Sequence, residues 1–198
     1  MYRRDFLNRN TIRFLPTPGA AFQDASFTYK VFALADTAVY LHDSVLSYRQ
    51  DNEGSSVNSP NKVHCVNDEY AEIHRWIVED YAESHSSQDV AKLLRFANII
   101  KYDSYMWSYI RLNPKFYAEF LDRMAQEFHG ALEAHEFELT DLKPWKRANL
   151  KAIVDDPQKW LAESSDFASA GAMGRAKHYA RIGGPGVVAA FVLDAIKK

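Results

Sequence analysis

The sequence predicts an all-α protein: a helical bundle core of about four long helices, an extended N-terminal arm and a smaller helical C-terminal part. Apolar residues recur at steps of three and four along four long stretches, which is the period of a helix face packed in a bundle. No stretch alternates apolar and polar residues long enough to predict a strand. The 198 residues are 47% hydrophobic and 25% charged, a balance typical of one globular core.

The first long helix is predicted from Asp24 to Gln50, with Asp24 as its N-cap. Its apolar residues follow steps of four and three, as in the seam of a bundle or coiled coil. These residues are Phe27, Val31, Leu34, Ala38, Leu41, Val45 and Tyr48. The polar, turn-rich residues 51–61 then predict a surface loop.

A second helix is predicted over residues 68–84, capped by Asn67, and a third over 88–112, capped by Ser86 or Ser87. The third is apolar on nearly all sides. Such a helix is buried on both sides or is covered by a partner.

Three prolines fit the first turn of a helix, because proline lacks the N–H that is unsatisfied there anyway. The first of them follows Asn113, a residue that favours the N-cap position. The helices predicted at Pro114, Pro144 and Pro157 span about 115–138, 144–154 and 157–163.

Five of the eight glycines lie in the last 28 residues. An alanine-rich helix is predicted over 167–181, and the sequence Gly183-Gly184-Pro185-Gly186 predicts a turn before a last helix, 187–197. The chain therefore divides into an extended basic arm (1–23), a helical core domain (24–163) and a glycine-rich helical tail (164–198) that packs on the core or on a partner.

Charge is unevenly distributed along the chain. Residues 1–30 carry five basic and two acidic groups, 31–142 carry nine and nineteen, and 143–198 carry ten and five, so the net charges are +3, −10 and +5. An acidic body repels phosphate and counts against a nucleic-acid surface, although the basic ends alone could bind nucleic acid. The basic ends complement the acidic body of a second copy.

Cys65 is the only cysteine, so the chain has no intramolecular disulfide and no cysteine-rich metal site. No uninterrupted apolar run reaches the roughly 20 residues of a membrane span, and no membrane partner is predicted. Arg3-Arg4 resembles the twin-arginine export consensus, but no continuous apolar segment follows it. We expect the protein in the cytoplasm or within a particle assembled inside the cell.

The seven histidines raise the question of a metal site. Helical metal sites place ligands three or four residues apart, and the chain instead has four Glu-x-His triplets. Residues two apart lie on nearly opposite faces of a helix. No metal and no cofactor are predicted, and His135, which continues the seam of the fourth helix, is expected at the core edge.

Arg123 and His129 lie six residues apart in a helical stretch. The spacing resembles the Arg-x(4–6)-His motif of the HEPN ribonucleases, which are small all-α dimers. The resemblance implies RNA cleavage, with Arg123 stabilising phosphate charge and His129 transferring protons. That family usually has a polar residue after the arginine, whereas Met124 stands here. Alternatively, Glu127 neutralises Arg123 across one helical turn.

The glycine-rich tail carries a candidate anion site, because glycines before a helix N-terminus can direct backbone N–H groups at an anion. The segment lacks the ending of a P-loop and the strand that precedes a dinucleotide-binding motif, so a plain interhelical turn is the alternative. The candidate anion-binding residues are Arg175, Lys177, Arg181 and Gly184.

The aromatic residues on one face of the third helix could stack nucleic-acid bases, but packing in the core or against a protein partner is favoured, because tyrosine and tryptophan are favoured at interfaces. Together with the basic, apolar arm they supply the partner-binding candidates. They are Arg3, Arg4, Phe14, Tyr102, Tyr105 and Tyr109. The arm has no evident core of its own to enter. These features favour a non-enzymatic structural or interaction protein, an α-helical subunit of a homo-oligomer or of a larger assembly such as a virion. The alternative function is a HEPN-like ribonuclease that uses Arg123 and His129.

Overall fold

The computed structural model describes residues 2–16, 22–39, 41–47, 62–164, 167 and 169–196. All regular structure in these residues is helical, which confirms the all-α prediction. The helices are α1 (Arg4–Arg9), α2 (Asp24–Leu34), α3 (Cys65–Arg75), α4 (Ser87–Tyr109), α5 (Tyr117–Glu133), α6 (Pro144–Asp155), α7 (Pro157–Glu163) and α8 (Ala172–Ile196). A π-helical segment, Trp76–Tyr81, continues α3, and 3-10 turns at Pro114–Phe116 and Leu139–Asp141 precede α5 and α6.

Two of the predicted caps are present. The Ser86 hydroxyl accepts a hydrogen bond from the Asp89 N–H at 3.2 Å and begins α4. The Asn113 side chain accepts from the Lys115 N–H at 3.2 Å in the turn before α5. These interactions span two or three residues, so the local sequence alone determines them.

The other two predicted caps are wrong. Asp24 is the first residue of α2, and Gln23, which holds the cap position, makes no side-chain cap hydrogen bond. Asn67 lies inside α3, where it is fully buried and donates to Glu127 Oε1 at 3.3 Å. Its amide therefore joins α3 to α5 instead of ending a helix.

The predicted first long helix is wrong beyond Leu34, where α2 ends after 11 residues. The described part of 35–47 is not helical, and Val39 and Val45 are 86% and 81% exposed. Helices of this length are stabilised mainly by packing of an apolar face. The described seam residues beyond Leu34, namely Ala38, Leu41 and Val45, are exposed and have no such packing. The threonine, serine and aspartate residues of the segment also have low helix propensity. The predicted loop at 51–61 lies outside the described residues.

Helices α3 to α8 enclose a core rich in aromatic side chains. The Tyr105 ring lies at its centre, with ring centroids 5.7 Å from Tyr70, 5.7 Å from Phe120 and 5.9 Å from Phe128. Tyr102 and Tyr109 are as fully buried as Tyr105. The prediction that these three tyrosines bind a partner is therefore wrong, because their own chain covers this face of α4.

The N-terminal arm is not wholly extended and does have a cluster to enter. It contains α1, and Ile12 is buried with Phe27 and Val31 of α2. The Phe14 ring stacks on Phe27 with centroids 4.2 Å apart. The apolar residues of the arm thus pack on their own chain.

The C-terminal part is one long helix with a break, and it packs chiefly on α6. Gly184 has φ 73° and ψ −171°, a conformation that glycine alone adopts readily. The turn predicted at residues 183–186 is a break at one residue, after which the helix resumes with Pro185. The preceding helical part begins at Ala172, later than the predicted residue 167.

Candidate functional site

The structure does not bring Arg123 and His129 together. Arg123 donates through Nε to Glu127 Oε1 at 2.9 Å and through Nη2 to Asp68 Oδ1 at 3.1 Å. The exposed His129 ring lies 3.3 Å from Glu133 Oε1. Residues six apart on a helix point roughly 120° apart. Two carboxylates thus neutralise the arginine that the ribonuclease resemblance assigns to a phosphate.

Glu127 is the centre of a charged cleft of about 360 Å³ between α3, α4 and α5. Lys101 Nζ lies 2.8 Å from Glu127 Oε2, and the Tyr105 hydroxyl donates to the same oxygen. Burial alone would raise the pKa of Glu127, but the charge of Lys101 and hydrogen bonds from its neighbours lower it on balance. Glu127 therefore holds α4 and α5 together as a carboxylate.

The second charged pair in the cleft joins His74 of α3 to Glu136, just beyond α5. His74 Nε2 lies 2.6 Å from Glu136 Oε1, and Asn98 donates to Glu136 Oε2 at 3.2 Å. The hydrogen bond to Glu136 raises the pKa of His74. Burial would raise the pKa of Glu136, but the hydrogen bond and charge of His74 lower it. Glu127 and Glu136 each have a basic partner within the cleft, so neither carboxylate needs a ligand to balance its charge.

The other histidines were also considered as metal ligands. The part of the chain that the structure describes has no group of three His, Cys, Asp or Glu side chains able to hold a metal ion. His135 is not at the core edge as predicted: it is exposed and lies two residues beyond the end of α5, with a φ of 54°. His64 lies 2.6 Å from Glu119 of α5.

A buried polar network attaches α8 to the core. It was not predicted from the sequence. His178 Nε2 lies 2.8 Å from Asn149 Oδ1, and His178 Nδ1 lies 3.0 Å from Ser164 Oγ. Because the Asn149 oxygen can only accept, His178 donates through Nε2 and accepts from Ser164 through Nδ1. The order serine, histidine, asparagine resembles an activated nucleophile, but Ser164 is only 2% exposed and no substrate can reach it. The network is structural.

The residues of the predicted anion site do not converge. Arg181 donates to the Ser164 hydroxyl at 3.0 Å and belongs to the buried network. The Arg175 guanidinium lies 5.7 Å from the centre of the Phe167 ring. Lys177 is exposed, and Gly184 lies two turns beyond it, at the helix break. Of the arm residues, Arg3 and Arg4 are exposed, and Phe14 packs on its own chain.

The outer side of α8 exposes several apolar side chains. Its four large side chains are exposed by 42% to 76%: Met173, Val192, Leu193 and Ile196. Smaller apolar residues lie between them, namely Ala180, Pro185, Val188 and Ala189. We call these eight residues the apolar face of α8. This face is the candidate functional site.

Helix α8 carries three basic residues and one acidic residue. Lys177 is exposed, Arg181 lies 3.8 Å from Glu163, and Asp194 pairs with Lys143 of the segment before α6. By length and composition α8 could also cross a membrane, with a mean hydropathy of 1.3 over its most apolar window. The length of uninterrupted apolar runs does not reveal this property, because small and charged residues divide the helix into shorter runs.

Comparison with known proteins finds no similar family, protein or structure. No protein-family model matches the sequence. No curated protein and no solved structure is significantly similar to the chain.

Proposed function

We propose that the protein is a non-enzymatic assembly protein that associates with itself through the apolar face of α8. The observation that carries the proposal is the exposure of this face, where Leu193 and Ile196 are 59% and 75% exposed. Contiguous apolar patches on soluble proteins commonly mark interaction sites, because water contact with them is unfavourable. The inner side of the same helix already packs on α6, so the outer side is available to a partner.

Charge favours a second copy as that partner. Lys177 gives α8 an exposed positive charge, and residues 143–198 carry a net charge of +5. Residues 31–142 carry a net charge of −10. The helical body of a neighbouring copy therefore attracts α8, and complementary charge speeds encounter and fixes orientation. Because α8 and the acidic body are different surfaces, such a contact is heterologous and leads to rings or open chains of subunits.

Light scattering on the purified full chain at micromolar concentration and low salt tests the proposal. We expect an oligomer for the wild type. Leu193→Glu places a charge in the proposed interface and should weaken association by at least about thirtyfold. Tyr2→Glu is the control, since Tyr2 is 50% exposed and lies outside both α8 and residues 31–142, and it should associate as the wild type does. A monomeric wild type, or equal association of the two variants, would contradict the proposal.

Two further measurements, salt dependence and vesicle binding, distinguish a second copy of the chain from a membrane as the partner of α8. Raising the salt concentration should weaken self-association, because it screens the attraction between the tail and the acidic body. Sedimentation with vesicles of phosphatidylcholine and phosphatidylserine gives the competing outcome. If the wild type is monomeric and binds these vesicles while Leu193→Glu does not, then α8 faces a membrane and the proposal of a second copy is wrong.

A further inference from the structure

An apolar groove of about 630 Å³ lies between α2 and α4. Phe32 of α2 and Phe96 of α4 border the groove and are 68% and 53% exposed. The Tyr29 hydroxyl of α2 donates to the Leu93 carbonyl of α4 at 2.6 Å and joins the two walls. The groove is therefore formed within a single chain, and its exposed aromatic rings are typical of an interaction surface.

The groove lies on the side of α4 that faces away from α8 of the same chain. Ile100 and Ser104 line the groove, whereas Tyr102 and Met106 line a cavity that also has residues of α8 in its wall. Residues two apart on a helix point about 200° apart, so these two pairs lie on nearly opposite sides of α4. An α8 helix that enters the groove must therefore come from a second copy.

The apolar face of α8 has the spacing of a helix that binds in a groove. Beyond the break at Gly184 its residues stand at i, i+3, i+4, i+7, i+8 and i+11: Pro185, Val188, Ala189, Val192, Leu193 and Ile196. Helices that bind in apolar grooves present side chains at this spacing. Pro185 and Ile196 are 11 positions apart, and so are Leu93 and Ser104 at the ends of the α4 wall. Helix and groove thus both extend over about 16 Å.

Charge at the groove also matches α8. Among the described residues that line the groove, Asp24 alone is charged, and it is exposed. Helix α8 carries three basic residues and one acidic residue, Asp194, which pairs with Lys143. Two further lysines follow Ile196 in the sequence. The positive charge of this part of the chain favours a groove with an acidic border.

We infer that the groove between α2 and α4 receives the apolar face of α8 from a second copy of the chain. The inference rests on the proposed self-association and adds the surface that the neighbouring copy contributes. Burial of Phe32 and Phe96 against α8 removes apolar surface of both copies from water. Each copy offers one helix and one groove, so the contact repeats from copy to copy in one direction.

Substitutions in the groove test the inference by light scattering on the full chain. Phe32→Glu places a charge in the groove and should weaken association by at least about thirtyfold, as Leu193→Glu does. Phe96→Glu, on the other wall, should cause a similar loss. Val78→Glu is the matched control, because Val78 is 40% exposed, lies in the same acidic part of the chain and does not line the groove. It adds the same charge and should associate as the wild type does.

A mixture of two variants tests which surfaces meet. Phe32→Glu keeps an intact α8, and Leu193→Glu keeps an intact groove. Neither variant should associate alone at micromolar concentration, but an equal mixture should form a complex with the mass of two chains. Formation of this complex would also show that both variants are folded. If two α8 helices instead pair with each other, Phe32→Glu alone should associate as the wild type does, which would overturn the inference.

The outcomes separate this inference from the proposed function. A monomeric wild type would contradict self-association and the groove together. If the wild type associates and Leu193→Glu does not, equal association of Phe32→Glu and Val78→Glu would overturn the groove and leave self-association in place. A mixture that stays monomeric, with both variants matching the wild type in far-ultraviolet circular dichroism, would also overturn the groove alone.

Discussion

Helices α5 and α8 use their apolar residues in opposite ways. In α5 the apolar residues recur at steps of three and four, and seven of its 17 residues are buried along this one face. In α8 they are spread around the helix, and of its 25 residues His178 and Tyr179 are the buried ones. One core can bury a single apolar stripe completely. A helix that is apolar on several sides keeps some apolar surface exposed, where a partner can bind.

The two helices are also held by different interactions. Phe128 of α5 is fully buried among aromatic rings, with Tyr105 and Phe137 each within 6 Å, at 5.9 and 5.8 Å between centroids. Helix α8 is fastened through the polar network of His178 and Asn149 and through the Tyr179 ring. The contrast separates a helix that builds the core from a helix that is attached to it.

The largest expected effect tests this contrast directly. Phe128→Ala removes a fully buried ring and should lower the free energy of unfolding by about 3–5 kcal/mol. Leu193→Ala, in the exposed face of α8, should change it by less than about 0.5 kcal/mol. Urea unfolding at submicromolar concentration measures both without a contribution from self-association. Similar losses in the two variants would show that α8 also belongs to the core.

A smaller effect is expected at the break in α8. A Cβ added to either Gly184 or Gly186 meets nothing within 4 Å, so the two positions differ in backbone conformation and not in space. Gly184→Ala forces alanine into a conformation reserved for glycine and should lower the free energy of unfolding by about 1–3 kcal/mol. Gly186→Ala, which has no positive φ, should be neutral or stabilising by up to about 1 kcal/mol.

Urea unfolding of the two variants at equal concentration measures this difference. If Gly184→Ala unfolds at the same urea concentration as Gly186→Ala, the helix does not require the break. The two halves of α8 would then act as one straight helix, and the contrast with α5 would rest on the distribution of apolar residues alone.

The sequence was informative where the signal is local. Ser86, Asn113 and the three helix-starting prolines act within one turn, and the helices they begin lie close to the predicted ranges. Periodicity predicted α5 correctly but extended α2 beyond Leu34, because it shows which residues could pack and not whether a partner surface exists. The seam of α5 forms a full helix because it packs on the core, whereas the seam beyond Leu34 has no surface to pack on.

The candidate sites were less predictable because their residues are far apart in the chain. His74 and Glu136 are separated by 62 positions, and Asn149 and His178 by 29. No spacing rule links such pairs, and the Glu-x-His triplet that contains His74 places Glu72 on nearly the opposite face of the helix. The apolar residues of α8 lie on several sides of the helix, the same pattern that predicts a covered α4. This pattern is hidden in the sequence because Gly183-Gly184-Pro185-Gly186 divides α8 into two predicted helices.

The smallest expected effect concerns the polar edge of the core, where Glu136 follows α5. Because the hydrogen bond to Glu136 raises the pKa of His74 above 6.5, protonated His74 stabilises the fold. This contribution is fully present below pH 6.5 and is lost as the pH rises through the higher pKa of the folded state. In the wild type the free energy of unfolding should therefore fall as the pH rises above 6.5. In His74→Gln this fall should be smaller. The side chain is 48% exposed, so solvent screening limits the effect to less than about 1 kcal/mol.

His129→Gln provides the matched control for this pH dependence, because the His129–Glu133 pair lies on the exposed side of α5. Urea unfolding between about pH 5.5 and 8.5 compares the wild type with both variants, a range that brackets the ordinary pKa of histidine. We expect a flatter profile for His74→Gln alone. Equal flattening in both variants would mean that burial at the polar edge adds nothing. In that case the ion pairs at the edge of the core and on the surface of α5 would contribute equally to the pH dependence of stability. The difference between α5 and α8 would then rest on the apolar stripe of α5 alone.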